Sequence, residues 1–285
     1  MGFNEEYNKI FELVKADISK VSEELQNSIS IKEPLYTPLN SIISAPSKHI
    51  RALSAFLYLR ANNINIDFVH IKLQAAVELI HNASLIHDDI IDESSTRRNE
   101  KTLNTLFDNK LAVLAGDYLL AAALNKLDEI KNFEVTGLFA EIMKTMCLGE
   151  INQYFARYKT VTIEEYIDKS RSKTASLFQA AIEGSAILSG MLSRVEAKEF
   201  ALNLGIAFQI RDDLINYKTT RTDLQSGIYT APVILGQTSG GSDGIEKTLR
   251  LLNNYIDKSC TLLDKIENNT FKEALIALLE LLRHE

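Results

Sequence analysis

The sequence predicts an all-α protein, on three observations. Its 285 residues include only 12 glycines and 4 prolines, and three of the prolines (Pro34, Pro38 and Pro46) fall in one early stretch. Breakers that sparse suit long helices better than a hairpin-rich sheet. Apolar residues recur at helical spacing along most of the chain. Between Phe68 and Tyr217 the segments are apolar around much of their circumference, as helices inside a large bundle are.

The elements follow in order. Phe3, Tyr7, Ile10, Phe11, Val14, Ile18, Val21 and Leu25 form one stripe on a first helix. Asn27–Leu39 reads as a connector punctuated by Pro34 and Pro38. Helices are expected at about Ser47–Ala61, Phe68–Asp89, Leu111–Leu127, Phe133–Tyr158, Ile163–Leu188 and Arg194–Tyr217, with two more near Ile245–Ile266 and Phe271–Leu282. Gln237–Gly244 is a Gly- and Ser-rich loop. No repeat or boundary interrupts this run, so a single domain over residues 1–285 is expected.

Composition narrows the function. With 46% hydrophobic and 24% charged residues the chain is an ordinary globular one. A net charge of −7 excludes a general nucleic-acid binder, though not an anionic substrate held by metal ions and local cations. Cys147 and Cys260 stand apart from any metal-ligand spacing and read as small buried hydrophobes in a reducing compartment. Met1–Asn8 is polar and acidic, and no uncharged apolar run reaches the roughly 18–20 residues of a membrane span. A soluble, cytoplasmic protein is the expectation.

The most informative stretch is FVHIKLQAAVELIHNASLIHDDIID, where an apolar helix ends in Asp88, Asp89 and Asp92. Asp88 and Asp92 are one turn apart and project from one face, where they repel each other and oppose the helix dipole. A hard divalent cation removes both penalties, and Mg²⁺ takes one or two carboxylates while sharing its other positions with water and phosphate oxygens. A second apolar helix, GIAFQIRDDLINY, delivers Asp212 and Asp213 near its end. Two such pairs facing each other could clamp Mg²⁺ ions around a diphosphate leaving group.

Cations supply the other half of a diphosphate site. Lys48 and Arg51 lie three residues apart at an expected helix start, Arg97 and Arg98 follow the first acidic cluster, and Lys173-Thr174 lies on a third helix. His81 precedes Asp88 by seven residues and shares roughly its face. Glu78 and His81 also fit the E-x-x-H pattern of di-iron bundles, but no second copy exists to complete it.

These residues resemble the trans-isoprenyl (polyprenyl) diphosphate synthases from about Ser47 to Leu235. The resemblance rests on five motifs in order: ELIHNASLIHDDIID with Arg97-Arg98, Leu114-Ala-Gly-Asp117-Tyr-Leu, Gly149-Glu150-Ile-Asn-Gln153, Lys173-Thr174-Ala-Ser-Leu-Phe178, and Ala207-Phe-Gln209-Ile-Arg-Asp212-Asp213. It implies antiparallel helices around a deep central cavity, usually in a homodimer, with a heteromer as the alternative. It also implies roles. Asp88 and Asp92 would ligate Mg²⁺ with Asp89 in support, and Asp212 would hold a further Mg²⁺ with Asp213 beside it. Lys48, Arg51, His81 and Arg98 would bind isopentenyl diphosphate. Arg97, Lys173, Thr174 and Gln209 would bind the allylic diphosphate. The implied reaction is electrophilic: loss of diphosphate leaves an allylic cation, the alkene attacks it, and a proton departs.

The chain departs from the family's pattern at four places. Pro46-Ser-Lys48-His49 replaces Gly-Gly-Lys-Arg, Asn99 replaces a glycine, and Asn216 replaces a third aspartate. The loop after Tyr217 is shortened to KTTRTDLQSG, with Ile228 where the family has lysine; Lys218 or Arg221 could substitute. These losses leave open a second reading, a catalytically weak or regulatory subunit of a hetero-oligomeric synthase. A terpene cyclase would not need the second diphosphate site implied by Lys48, Arg51 and His81, and a non-enzymatic helical protein would show no Mg²⁺-dependent diphosphate binding. Ala83 and Ser84, five and four residues before Asp88, lie about 6–8 Å deeper along the helix. Two small residues at a cavity floor point to a medium or long product.

Overall fold

The computed structural model describes residues 3–45, 48–98, 100–237 and 243–283. Most of them are helical: α1 (Phe3–Glu12), α2 (Lys15–Asn27), α3 (Tyr36–Ser44), α4 (Ile50–Ala61), α5 (Phe68–Ile91), α6 (Leu103–Leu106), α7 (Asn109–Ile130) and α8 (Phe133–Ala156). Then come α9 (Ile163–Ser170), a π-helical turn (Arg171–Ala175), α10 (Ser176–Leu188) and α11 (Arg194–Lys218). The chain closes with α12 (Thr222–Gln225), α13 (Ala231–Gln237), α14 (Gly244–Leu263) and α15 (Thr270–Arg283). Two short antiparallel strands, β1 (Thr96–Arg97) and β2 (Glu100–Lys101), pair Thr96 with Lys101 and Arg97 with Glu100. Pro46, Ser47, Asn99 and most of the Gly/Ser-rich loop (238–242) lie outside the described residues.

The all-α expectation holds, with local corrections. The first stripe is buried as expected at Tyr7, Ile10, Val14, Ile18, Val21 and Leu25, but two helices carry it. Leu13 and Val14 make a tight turn between them, donating to the carbonyls three residues back at 3.3 and 3.1 Å. The connector hides α3, because Pro38 sits in that helix's first turn, where its missing N–H has no intrahelical partner to lose. Leu39 and Ile43 bury α3's apolar side. The helix expected from Ser47 starts at Ile50, after His49 at φ 42°, so Lys48 precedes the helix and only Arg51 lies in its first turn. Cys147 is exposed and Cys260 half-buried, against the expectation that both are buried.

The residues group into two compact units. The first comprises Met1–Val14, Leu53–Asn65 and Gly137–Glu285, and the second Lys15–Ala52 and Ile66–Thr136, so the division falls within α4. In the second unit α5 packs along α7, with α2 and α6 against them. Small residues on α7 (Ala112, Ala115, Gly116) let the two long helices approach. Asp108 caps α7 by accepting from the Leu111 N–H at 2.8 Å. The core of the first unit forms where α10, α13, α14 and the π-helical turn meet α11. Tyr58 stacks on Phe200 there, with ring centroids 5.1 Å apart.

Candidate active site

The first acidic motif sits where α5 runs out. Asp92 is the C-terminal residue of the turn, its N–H donating to the Asp88 carbonyl at 2.8 Å, so the two carboxylates leave the helix one turn apart. Asp92 is exposed and Asp88 half-buried. Asp89 between them is buried. Its Oδ1 accepts from Arg97 Nε and lies against Arg97 Nη2, both at 2.9 Å. Burial pushes the Asp89 carboxyl above the usual range, with Arg97 acting against the rise and Asp92 adding to it. Asn104 donates to the Ser94 carbonyl at 3.1 Å, and Thr102 Oγ1 donates to the same oxygen at 2.8 Å, which fixes the loop carrying β1.

A basic cluster lies in the same unit. Burial pushes the His81 imidazole well below its ordinary value, and the charges of Arg51, Arg98 and Arg97 push the same way. His81 is therefore neutral at pH 7 and stands in a field of three guanidinium groups, an arrangement that favours an anion. Burial also lowers Arg51, with Glu78 opposing. Glu78, 5% exposed, has Oε2 3.9 Å from His49 Nδ1. Lys48 and Arg98 are exposed. Ala83 is fully buried, whereas Ser84 keeps partial exposure and donates its hydroxyl to the His81 carbonyl at 2.8 Å. Of the two expected floor positions, only Ser84 reaches accessible space.

The second acidic motif is built in the first unit by a relay across three elements. Thr174, on the π-helical turn, donates to Gln209 Oε1 on α11. Gln209 Nε2 donates to Asp213 Oδ1 at 2.7 Å, and Tyr166 on α9 donates to Asp213 Oδ2 at 2.7 Å. Asp213 is 4% exposed, and burial raises its carboxyl to about 6 despite Lys169, Tyr166 and Gln209. Asp212, one residue earlier, is exposed; partial desolvation raises its carboxyl too, with Arg211 opposing. Lys173 pairs with Glu150 Oε2, and Gln153 Nε2 steadies Glu150 Oε1 at 3.1 Å. Asn216 donates to Thr222 Oγ1 at 2.7 Å, fastening α12 to the end of α11. Arg221 donates Nε to the Tyr217 carbonyl at 3.2 Å and lays its guanidinium over that ring.

Beside this motif, still within the first unit, is a cavity of about 310 Å³. Gln153, Tyr166, Lys169 and Ile228 are among its walls. The sequence did not assign roles to Tyr166, Lys169 or the Glu150–Lys173 pair, although Glu150 and Gln153 lie in the Gly149–Gln153 motif. The signal available for the π-helical turn was three serines, Ser170, Ser172 and Ser176. Each hydroxyl donates to the carbonyl four residues back, at 2.9, 2.8 and 2.7 Å, a habit that distorts helices.

Among the described residues no three His, Cys, Asp or Glu side chains form a ready-made metal cage. The carboxylates of Asp88, Asp92 and Asp212 are hard oxygen donors. They suit a divalent cation such as Mg²⁺, which takes one or two carboxylates and fills its other positions with water and phosphate oxygens, and do not suit a closed structural metal site. Among the same residues no helix is long and apolar enough to cross a membrane.

The match to the polyprenyl synthetase family model runs over residues 32–262. The chain belongs to the polyprenyl synthetase family. It is 36% identical over 242 residues to solanesyl diphosphate synthase 2 (chloroplastic) of Arabidopsis thaliana, covering 79% of this chain and 58% of that protein. The chain thus spans under two thirds of that relative's length. Among solved structures it is similar to the decaprenyl diphosphate synthase of Rhodobacter capsulatus (TM-score 0.88, 26% identity, 97% of this chain and 98% of that one). It is equally similar to the polyprenyl synthase of Caulobacter crescentus, solved with calcium and isoprenyl diphosphate (TM-score 0.89, 27% identity, 97% of each chain). The fold is therefore the all-α fold of the isoprenyl diphosphate synthases.

Proposed function

We propose that this chain is a prenyltransferase that joins isopentenyl diphosphate to an allylic diphosphate and makes a medium or long polyprenyl diphosphate. The single observation that carries the reading is the pair of acidic motifs at the ends of α5 and α11, each backed by its own cations. Family membership and relatives named for solanesyl and decaprenyl products support it. Residues 1–285 act as one catalytic domain in this reading, and the reaction requires both motifs to serve one substrate.

Asp88 and Asp92 with Asp89 in support, and Asp212 with Asp213 beside it, would hold Mg²⁺. The metal, when bound, neutralises charge on the departing diphosphate. Arg97, Lys173, Thr174 and Gln209 bind and orient the allylic diphosphate. Lys48, Arg51, His81 and Arg98 bind isopentenyl diphosphate, with the neutral His81 donating one N–H to a phosphate oxygen. Arg97 carries a double duty, since it also holds Asp89 in place. Apolar helix surfaces exclude water that would quench the allylic cation. The proton lost at the end passes to the departed diphosphate, so no protein base is assigned. The calcium in the Caulobacter structure supports a divalent cation, and magnesium is the reading proposed here. A homodimer in the cytoplasm is the remaining part of the proposal. The partner-subunit reading is not carried further, because the relatives are named as synthases and transferases and both acidic motifs are present.

The test is an incubation of the full chain with labelled isopentenyl diphosphate, farnesyl diphosphate and Mg²⁺, with products sized by chromatography. An elongated product that needs Mg²⁺ and is absent with Asp88→Ala is expected. Ser84→Phe should shorten that product, because Ser84 is the small α5 residue with accessible space. No product from folded protein with farnesyl, geranyl or dimethylallyl primers would remove the enzymatic reading, and an unchanged length in Ser84→Phe would remove the floor assignment.

A further inference from the structure

The cavity beside the second acidic motif has one ammonium group in its wall that no motif assigns. Lys169, on α9, lines it together with the segment after α12 that contributes Gly227, Ile228 and Tyr229. We propose that Lys169 is the cation that grips the allylic diphosphate at the second acidic motif, taking the place of the charge absent at Ile228. The inference rests on the prenyl-transfer reading and adds a residue to it.

Three observations support the assignment. First, the cavity adjoins the motif. Tyr166 lines it and donates to Asp213 at 2.7 Å, and Gln153 lines it and steadies Glu150, the partner of Lys173. Lys169 lies within the electrostatic reach of Asp213, Lys173, Asp223 and Glu150. Second, the ammonium is held in place and partly dry. Its Nζ sits 5.3 Å from the Tyr166 ring centroid, and the side chain is half-buried. A cation stripped of much of its water binds a phosphate oxygen more strongly than a surface lysine does.

Third, two other nearby cations have contacts of their own: the Arg157 guanidinium, which shares the cavity wall, lies 5.9 Å from the Tyr154 ring centroid. Arg221 is committed to the carbonyl and ring of Tyr217. Of the acidic groups in the same wall, Glu165 caps α9 by accepting from the Thr162 N–H at 2.7 Å. The segment bearing Ile228 is fixed, because Gly227 has φ 73° and a Cβ there would meet the Tyr158 ring at 2.5 Å. The Tyr158 N–H also donates to the Gly227 carbonyl at 2.9 Å. A lysine at position 228 would therefore deliver its charge to the same cavity.

The experiment uses the full chain with Mg²⁺ and the thiolodiphosphate analogue of farnesyl diphosphate, whose C–S bond resists ionisation. Binding is read by calorimetry and KM is measured for both substrates. Lys169→Met should weaken the analogue about 10- to 100-fold, the range for one charge-assisted hydrogen bond, and leave the KM for isopentenyl diphosphate unchanged. Lys169→Arg should stay within a few-fold of wild type. Adding Ile228→Lys to Lys169→Met should restore most of the loss, which a structural defect would not permit. Unchanged analogue affinity in Lys169→Met overturns the inference, as does an equal loss for both substrates. A wild-type chain that neither binds the analogue nor makes product sinks the prenyl-transfer reading itself, and the inference with it.

Discussion

Asp213 sits under a buried lid of donors and still titrates high. Its carboxyl is raised from 3.8 to about 6, so the folded chain holds that proton more tightly than the unfolded chain does. Folding stability from this group therefore falls as pH rises from about 4 to about 6 and stays low above that window. Asp213→Asn removes the buried charge and can keep the relay. The new carbonyl accepts from Tyr166, the new amide donates to Gln209 once that amide turns over, and the Thr174 hydroxyl reverses to match. In metal-free buffer at pH 7.5, urea unfolding should show the variant more stable than wild type by about 1–3 kcal/mol. The advantage should vanish near pH 4. Equal stabilities at pH 7.5 would mean that neighbouring cations already compensate the charge. Both acidic pairs and Lys173, Thr174 and Gln209 were legible in the sequence as residue types in order. Tyr166 was not, because a lone tyrosine on an amphipathic helix has no signature of the carboxylate it meets 47 positions away.

Among the elements, the π-helical turn decides how Lys173 and Thr174 are presented. The Ser176 N–H reaches back to the Arg171 carbonyl, a wider turn that turns the two side chains toward α8 and α11. Gly205 on α11 permits this approach. A Cβ there would lie 2.5 Å from Ala175 Cα and 2.7 Å from Ala175 Cβ, and the first of these is backbone that cannot move cheaply. Alanine ordinarily gains about 1 kcal/mol over glycine inside a helix. Gly205→Ala should nonetheless destabilise the chain by about 1–3 kcal/mol, because overpacking against backbone outweighs propensity. The readouts are a lower thermal midpoint and weaker binding of inorganic diphosphate in the presence of Mg²⁺. A rise in the midpoint would show that the contact relaxes without cost. Helix periodicity placed α5, α8 and α11 within a few residues, since each is long and strongly patterned. It missed the break before α2, the π-helical turn and the short helices α3, α6, α12 and α13. The break and the π-helical turn barely change the spacing of the apolar stripe, and the short helices are too brief to show a period.

For the whole molecule, the proposal requires two acidic motifs on two compact units to act on one diphosphate. Kinetics can test that dependence directly. Asp88→Asn and Asp212→Asn should each lower kcat/KM by about 100-fold or more, by analogy with loss of one group that stabilises developing charge. Their combination should lower it little further than the worse single change, because groups that act as a unit are not additive. Multiplicative losses would show that the motifs act independently.

The sequence by itself determined the helical fold, the ends of the two long motif helices and the chemistry of their carboxylates. Local periodicity and residue type suffice for these. Tertiary structure decided which group faces which charge. It tied Arg97 to Asp89, buried Asp213 beneath Tyr166 and Gln209, packed Ala83 away while leaving Ser84 accessible, and set Lys169 and Ile228 in the walls of one cavity. Desolvation and pairing depend on neighbours that are distant in sequence, and a one-dimensional pattern does not encode those distances.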